Sequence, residues 1–258
     1  MGFLAHARDP RPVSDLPAGY TEWLAPAGLR HAIACLWAQI TPDGGGRQGL
    51  VLPDGCADLI WEPGRGAYVA GPDTGPAPTV LPAGTIIIGV RFRPAAGGPA
   101  LGVPLSELRD RRVDLADLRR GESRRLQGTL DPDTALVRAL DVVAALVADG
   151  EPDAAVRRAA ELLADPGARA GEVAAEIGLS ERQLRRRCQD AVGYGPKTLQ
   201  RVLRFRRFVT LIDAAAGHPP DLATVAARVG YADQAHLTRE CRALAGLTPA
   251  ALARQRAL

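Results

Sequence analysis

Val173–Pro196 reads VAAEIGLSERQLRRRCQDAVGYGP and Val225–Pro249 reads VAARVGYADQAHLTRECRALAGLTP, so the second stretch repeats the first after 52 to 53 residues. Val173-Ala174-Ala175 aligns with Val225-Ala226-Ala227, Gly178 with Gly230, and Leu184-x-Arg186-x-Cys188 with Leu237-x-Arg239-x-Cys241. Gly193 and Pro196 align with Gly246 and Pro249, and the second copy carries one extra residue in its turn. Self-similarity of this kind marks a duplicated supersecondary unit. Each copy has the grammar of a helix-turn-helix: Ala174 or Ala226 lets a second helix approach closely, and Gly178 or Gly230 supplies the permissive backbone of the turn.

The second helix of each unit is legible residue by residue. Ser180 and Gln183 have capping-box spacing, and Asp233 stands at the matching position of the second copy. Leu184, Cys188 and Val192 fall on one stripe, as do Leu237, Cys241 and Ala245, and these stripes are core. About half a turn away, Arg182, Arg185, Arg186 and Gln189 share one face, and Ala235, Thr238, Arg239 and Arg242 share another. A major groove admits an α-helix, and arginine can donate two hydrogen bonds to guanine O6 and N7. These faces suit DNA.

Between the copies, Lys197–Ala214 reads as one helix closed by Gly217, Pro219 and Pro220; at 1.5 Å per residue it is ~27 Å long. That length suits two recognition helices set roughly one DNA turn apart, ~34 Å. Arg201, Arg204, Arg206 and Arg207 on this helix, with Arg242 and Ser180 on the recognition helices, are the candidate phosphate contacts. Charge is distributed accordingly. Residues 168–258 hold 15 Lys/Arg against 8 Asp/Glu, while residues 1–167 hold 17 against 21, so a net +7 faces a net −4. One part is built for a polyanion and the other for a different task.

Residues 168–258 resemble the DNA-binding domain of AraC-type transcriptional regulators, on the signature A226-A-R-V-G-Y-A-D-Q-A-H-L-T-R-E-C-R-A-L-A-G-L-T-P249 and its earlier copy. The resemblance covers about ninety residues and implies that both recognition helices enter successive major-groove segments on one DNA face. By position it assigns base contact to Arg182, Arg185 and Arg186 in the first unit, and to Gln234, His236, Thr238 and Arg239 in the second. Ala235 departs from the longer polar residue common in relatives, which implies weaker polar readout there or contact with a thymine methyl. LPDGCADLIW (Leu52–Trp61), GVRFRP (Gly89–Pro94) and GVPLSELRDRRVDL (Gly102–Leu115) are similar to an uncharacterised N-terminal domain of some AraC-type regulators, taken as a cupin-like β-fold. Such a domain implies small-molecule sensing or dimerisation.

The residues themselves support a β-rich N-terminal part. Short apolar runs at His31–Ile40, Gly49–Leu52, Asp58–Trp61, Ala67–Ala70, Thr79–Leu81 and Thr85–Phe92 are set off by turn-forming Pro53-Asp54-Gly55 and Asp43-Gly44-Gly45-Gly46. They predict a small antiparallel barrel or sandwich. Leu105–Leu108, Thr134–Val147 and Asp153–Leu163 lack alternation and read as helices. Asp165-Pro166-Gly167 then breaks the chain. The expected fold is α+β, with a β-rich sensor or dimerisation domain at 1–103 and a helical connector at 104–166. An all-α DNA-binding domain follows at 167–258, with units at about 169–193 and 221–246 joined by a helix at about 196–214. Asp54, Asp58, Trp37, Trp61 and Arg91 form the candidate effector pocket, with Arg93 nearby.

With 258 residues, 47% of them hydrophobic and 24% charged, the chain suits one large or two smaller globular domains; its 28 Gly and 21 Pro follow no collagen period. Arg8, Asp9 and Pro10 interrupt any leader-like apolar start, and no stretch approaches a bilayer span, so the reading is cytoplasmic. Cys35, Cys56, Cys188 and Cys241 form no C-x-x-C pair and are expected as reduced thiols, and His6, His31, His218 and His236 have no metal spacing with them. No cofactor or metal is expected. Gly44–Gly49 is Gly-rich like a phosphate loop but lacks its Lys-Ser/Thr ending, and no nucleophile and base pair emerges, so no enzyme is expected. The leading reading is a sequence-specific, AraC-type regulator of promoter DNA, with a small-molecule effector and RNA polymerase as candidate partners and a homodimer favoured. The alternative is an effector-binding or catalytic β-domain with a basic helical tail for protein or nonspecific nucleic-acid contacts. A reactive thiol at Cys56 is a third.

Overall fold

Among the described residues, apolar runs punctuated by Gly and Pro form eight strands: β1 (Gly19–Trp23), β2 (Ile33–Ile40), β3 (Arg47–Val51), β4 (Asp58–Glu62), β5 (Gly66–Ala70), β6 (Ala77–Leu81), β7 (Ile86–Phe92) and β8 (Arg112–Asp114). β1 and β8 were not expected from the sequence; both are short edge strands. The computed structural model describes residues 12–215 and 221–256. A six-stranded antiparallel sheet runs β1-β2-β7-β4-β5-β8, and β3 pairs with β6 in a separate ribbon. One face of the large sheet, with Leu36, Leu59, Val69 and Val90, meets helix residues Val142, Val143 and Leu146. The other face, with Cys35, Trp37, Ile60, Tyr68 and Ile87, packs with Leu81 of the ribbon. Burial on both faces explains the unbroken Ile86-Ile87-Ile88 run, in which no polar alternation survives.

After β7 come α1 (Gly97–Leu101), α2 (Leu105–Leu108), α3 (Leu115–Leu118) and α4 (Arg120–Ser123), then the longer α5 (Pro132–Asp149). Asp131 caps α5 by accepting from the Thr134 N–H at 2.9 Å, with Pro132 in the first turn. α5 belongs to the core of the large sheet. The remaining helices are α6 (Ala154–Leu163), α7 (Ala170–Glu176), α8 (Glu181–Val192), α9 (Pro196–Ala214), α10 (Leu222–Val229), α11 (Gln234–Ala245) and α12 (Pro249–Arg256). Gly217, Pro219, Pro220, His218 and His6 lie outside the described residues.

A second core gathers α6 to α12 around α9, whose Phe205 and Phe208 are wholly buried. α6 contributes Val156, Ala159 and Leu163 to it. The break at Asp165-Pro166-Gly167 therefore lies inside this core: Asp165 accepts from the Gly167 N–H at 2.8 Å, turning α6 back toward α7. The two cores part between Gly150 and Asp153. They then meet along a seam. Gly193 ends α8 with φ +91°, and a Cβ there would lie 2.5 Å from the Pro72 ring, so only glycine lets the β-domain sit against the end of this helix. Ala95, on the exit from β7, is counted in the second core.

Candidate nucleic-acid interface

Both recognition helices are held as their sequences predict. At the start of α8, the Ser180 hydroxyl accepts from the Gln183 N–H at 3.3 Å, while the Gln183 side chain accepts from the Ser180 N–H at 2.8 Å, a complete capping box. At the start of α11, Asp233 accepts from the His236 N–H at 2.6 Å. Leu184, Cys188 and Val192 are buried on one side of α8, and Leu237, Cys241 and Ala245 on one side of α11. Burial pushes the Cys188 and Cys241 thiols up to about 12, so both stay protonated core groups.

The opposite faces carry the cations. Arg182, Arg185 and Arg186 on α8 and Gln234, Arg239 and Arg242 on α11 are exposed. None of these arginines has an ion-pair partner among the described residues. Gln189, His236 and Thr238 are half-buried. The Thr238 hydroxyl donates to the Gln234 carbonyl at 2.8 Å, which leaves its methyl and lone pairs for an outside partner. His236 stands edge-on to the Tyr231 ring at 5.2 Å, and its Nδ1 accepts from the Ala232 N–H at 3.4 Å, which puts the ring proton on Nε2.

Neighbouring arginines that look equivalent in sequence serve the fold. Arg187, half a turn from Arg185 and absent from the expected contacts, makes a bidentate pair with Asp153 at 2.7 and 2.8 Å and so ties α8 to the cap of α6. Arg201 pairs with Glu240 of α11 at 2.9 and 3.2 Å. Arg204, expected at phosphates, instead lies half-buried with its guanidinium 5.6 Å from the centre of the Tyr231 ring. Its Nε is sealed from solvent, because the second unit packs over α9 at this point. Arg207 remains exposed, and the Ser180 hydroxyl is engaged in its cap. Only spatial partners separate these groups, and no one-residue signal marks them.

The expected effector residues divide in the same way. Trp37 Nε1 donates to Asp58 at 2.6 Å, and Arg91 pairs with Asp58 at 3.1 Å, Asp54 at 3.2 Å and Glu22 at 3.0 Å. One guanidinium thus holds three carboxylates against the inner sheet face. The Trp37 indole lies flat on Gly89, its cross-strand partner, where a Cβ would sit 2.1 Å from the ring. Trp61 does not join them. Ile60, not Trp61, pairs opposite Gly89, so strand alternation turns Trp61 to the α5 side of the sheet, and its assignment to this group is corrected. Burial pushes the Asp58 carboxyl up to about 6 against the pull of Arg91, with Asp54 adding to the rise. Burial likewise pushes the Cys35 thiol up to about 12 and Cys56 well above its ordinary value, which argues against thiolate chemistry at Cys56. Among the described residues, no group of His, Cys, Asp and Glu is placed to hold a metal, and no helix is long and apolar enough to cross a membrane.

Two capped helix-turn-helix units flanking one central helix, with arginines on both recognition helices that have no ion-pair partner among the described residues, define a DNA-binding protein of the helix-turn-helix class. Residues 173–255 match the family described as "Helix-turn-helix domain", and residues 21–114 match the family described as "Domain of unknown function (DUF6597)". The C-terminal domain is an AraC-type helix-turn-helix domain, and the protein is a DNA-binding transcriptional regulator. No curated protein matches the chain significantly. Solved structures similar to it include those of ToxT from Vibrio cholerae. One, at 9% identity and a TM-score of 0.42, covers 81% of this chain and 98% of ToxT. Another, ToxT bound to (E)-4-(8-methylnaphthalen-1-yl)but-3-enoic acid, is 10% identical with a TM-score of 0.43, covering 93% of this chain and 96% of ToxT. A third, with unsaturated fatty acid bound, is 12% identical with a TM-score of 0.40, covering 84% and 90%.

Proposed function

We propose that this regulator docks α8 and α11 in two adjacent major-groove segments of a promoter and is controlled through its β-domain by a small molecule. The observation that carries the reading is the division of the arginines. Arg187 and Arg201 are neutralised inside the domain, whereas Arg182, Arg185, Arg186 and Arg239 are exposed, with no ion-pair partner among the described residues, on the faces opposite the buried stripes. Base contact then falls to Arg182, Arg185 and Arg186 in one segment and to Gln234, His236, Thr238 and Arg239 in the other. Arg207 and Arg242 contact phosphates, and Arg201 joins them only by sharing its charge with Glu240. The protein works in the cytoplasm without catalysis, as a homodimer through its N-terminal domain, with RNA polymerase as a downstream partner. The group around Arg91 couples the inner sheet face to the Asp54 loop, whose Gly55 abuts Leu199 in the first turn of α9 and Tyr194 just before that helix.

The test is selection of bound duplexes from a random library by the full chain, repeated with Arg239→Ala. The wild type should recover a bipartite motif with half-sites about one helical turn apart. Arg239→Ala should weaken binding by ~1–3 kcal/mol, roughly 5- to 150-fold, and relax one half-site only. Unchanged affinity and motif would remove Arg239 from the interface. If binding fades with salt equally for all sequences, the alternative of a nonspecific basic tail is favoured instead.

A further inference from the structure

From an open cleft of about 390 Å³ at the seam between the two cores, we infer a binding site for a small amphipathic anion, a carboxylate on an apolar body. Arg30, His31 and Arg93 line it from the β-domain, Arg157 and Ala160 from α6, and Leu203 from α9. Its volume lies in the range of small-molecule sites. The identity of the ligand class follows from charge. Three guanidinium groups face one space, and none has a carboxylate partner among the described residues. The acid on the rim, Glu161, is engaged by Arg158 at 3.3 Å. Two other arginines of the β-domain are matched by acids: Arg91 to three of them and Arg112 to Asp73. Like charges gathered without a counter-charge repel, and an anion relieves that repulsion.

Two of the cations are already aimed. Arg93 Nε donates to the Arg30 carbonyl at 2.7 Å, and Arg30 Nε donates to the Ala25 carbonyl at 2.9 Å, which orients both side chains and leaves their terminal nitrogens for a carboxylate. Pro94, Ala160 and Leu203 supply an apolar floor. The cleft is separate from the Arg91 group, whose cation is saturated by protein carboxylates.

The position of Arg157 gives the anion a route to DNA binding. Arg157 lies one turn into α6, whose cap, Asp153, holds the first recognition helix through Arg187 at 2.7 Å and donates its backbone N–H to the Ala95 carbonyl at 3.3 Å. A carboxylate shared by Arg30 and Arg93 on one side and Arg157 on the other links the β-domain to α6, and through Asp153 to α8. This route rests on the effector reading; the binding site itself does not.

The experiment titrates the full chain by calorimetry with 3-phenylpropionate, its neutral amide and inorganic phosphate. The carboxylate should bind at least about tenfold more tightly than the amide, and Arg93→Gln or Arg157→Gln should each weaken it about fivefold or more. Arg254→Gln, the same charge change on α12, should leave binding as in the wild type. The inference is overturned if amide and carboxylate bind alike, if the Arg93 and Arg157 variants bind like wild type, if phosphate alone binds, or if none of the three probes binds at about 10 mM. Operator affinity measured with and without 3-phenylpropionate separates the two readings. Binding in the cleft with unchanged operator affinity retains the site and removes the effector role. A ligand-dependent change in operator affinity that persists in Arg157→Gln places the effector elsewhere.

Discussion

A fragment beginning at residue 168 should fail to show a cooperative thermal transition, whereas one beginning at residue 152 should melt cooperatively with the helical signal of the intact domain. The difference is α6. Val156 and Ala159 are fully buried and Leu163 is 1% exposed, all within the core built on α9. Burying a Val or Leu side chain is worth ~1.5–3 kcal/mol, and the gap left by their loss adds a cavity cost, so removing α6 forfeits on the order of 5 kcal/mol. Small domains hold only ~5–15 kcal/mol in all. The shorter fragment also leaves Arg187 without Asp153. Circular dichroism melts of the two fragments decide the matter, and equal midpoints would show that α6 is dispensable. DNA-binding assays on the isolated units should therefore start at residue 152.

The second large effect is expected from Arg91→Met. The substitution keeps the length of the side chain but leaves Asp58, Asp54 and Glu22 around an empty charge position. Breaking a buried pair by removing one partner costs ~3–5 kcal/mol, because the remaining charge is uncompensated. The loss should depend on pH in a defined direction. Asp58 in the folded protein titrates at about 6, above its ordinary 3.8, because burial favours the neutral acid. The folded state thus binds this proton more strongly than the unfolded state, so the contribution of Asp58 is fully present below about 4 and is lost as pH rises through about 6. Without Arg91 the Asp58 carboxyl should rise further, extending that loss to higher pH. Urea unfolding at pH 5 and pH 8 should show a larger deficit for Arg91→Met at pH 8, and Asp58→Asn in the same background should recover part of it. An Arg91→Met midpoint equal to wild type at pH 8 would mean the three carboxylates do not depend on this cation.

Both predictions concern groups whose partners are far away in sequence, where neighbouring residues carry no signal of the contact. The capping box of Ser180 and Gln183, the Asp233 cap and the buried stripes of α8 and α11 are all contacts within a few residues, and each was legible. The six strands β2 to β7 were likewise marked by Gly and Pro at their ends. Strands β1 and β8 were not, since an edge strand can be short and compositionally mixed while its partner supplies the hydrogen bonds. Trp37 and Trp61 looked alike as aromatic residues on strands. Because both faces of the sheet are buried, neither β2 nor β4 shows a polar side from which to orient it, and only the pairing of Gly89 with Trp37 and Ile60 separates the two indoles.

By itself, the sequence determined that two helix-turn-helix units follow a β-rich domain, where their recognition helices start, which of their residues are buried, and that the basic part is built for DNA. Local hydrogen bonding and helical periodicity are enough for those conclusions. Tertiary structure alone decided which arginines remain open to a partner. Arg187 meets an acid 34 residues away and Arg201 one 39 residues away. It also decided that α6 belongs with the DNA-binding core and that Arg30, Arg93 and Arg157 converge on one cleft. Charge compensation and burial are set by distances in space, and a residue's sequence neighbours do not encode them.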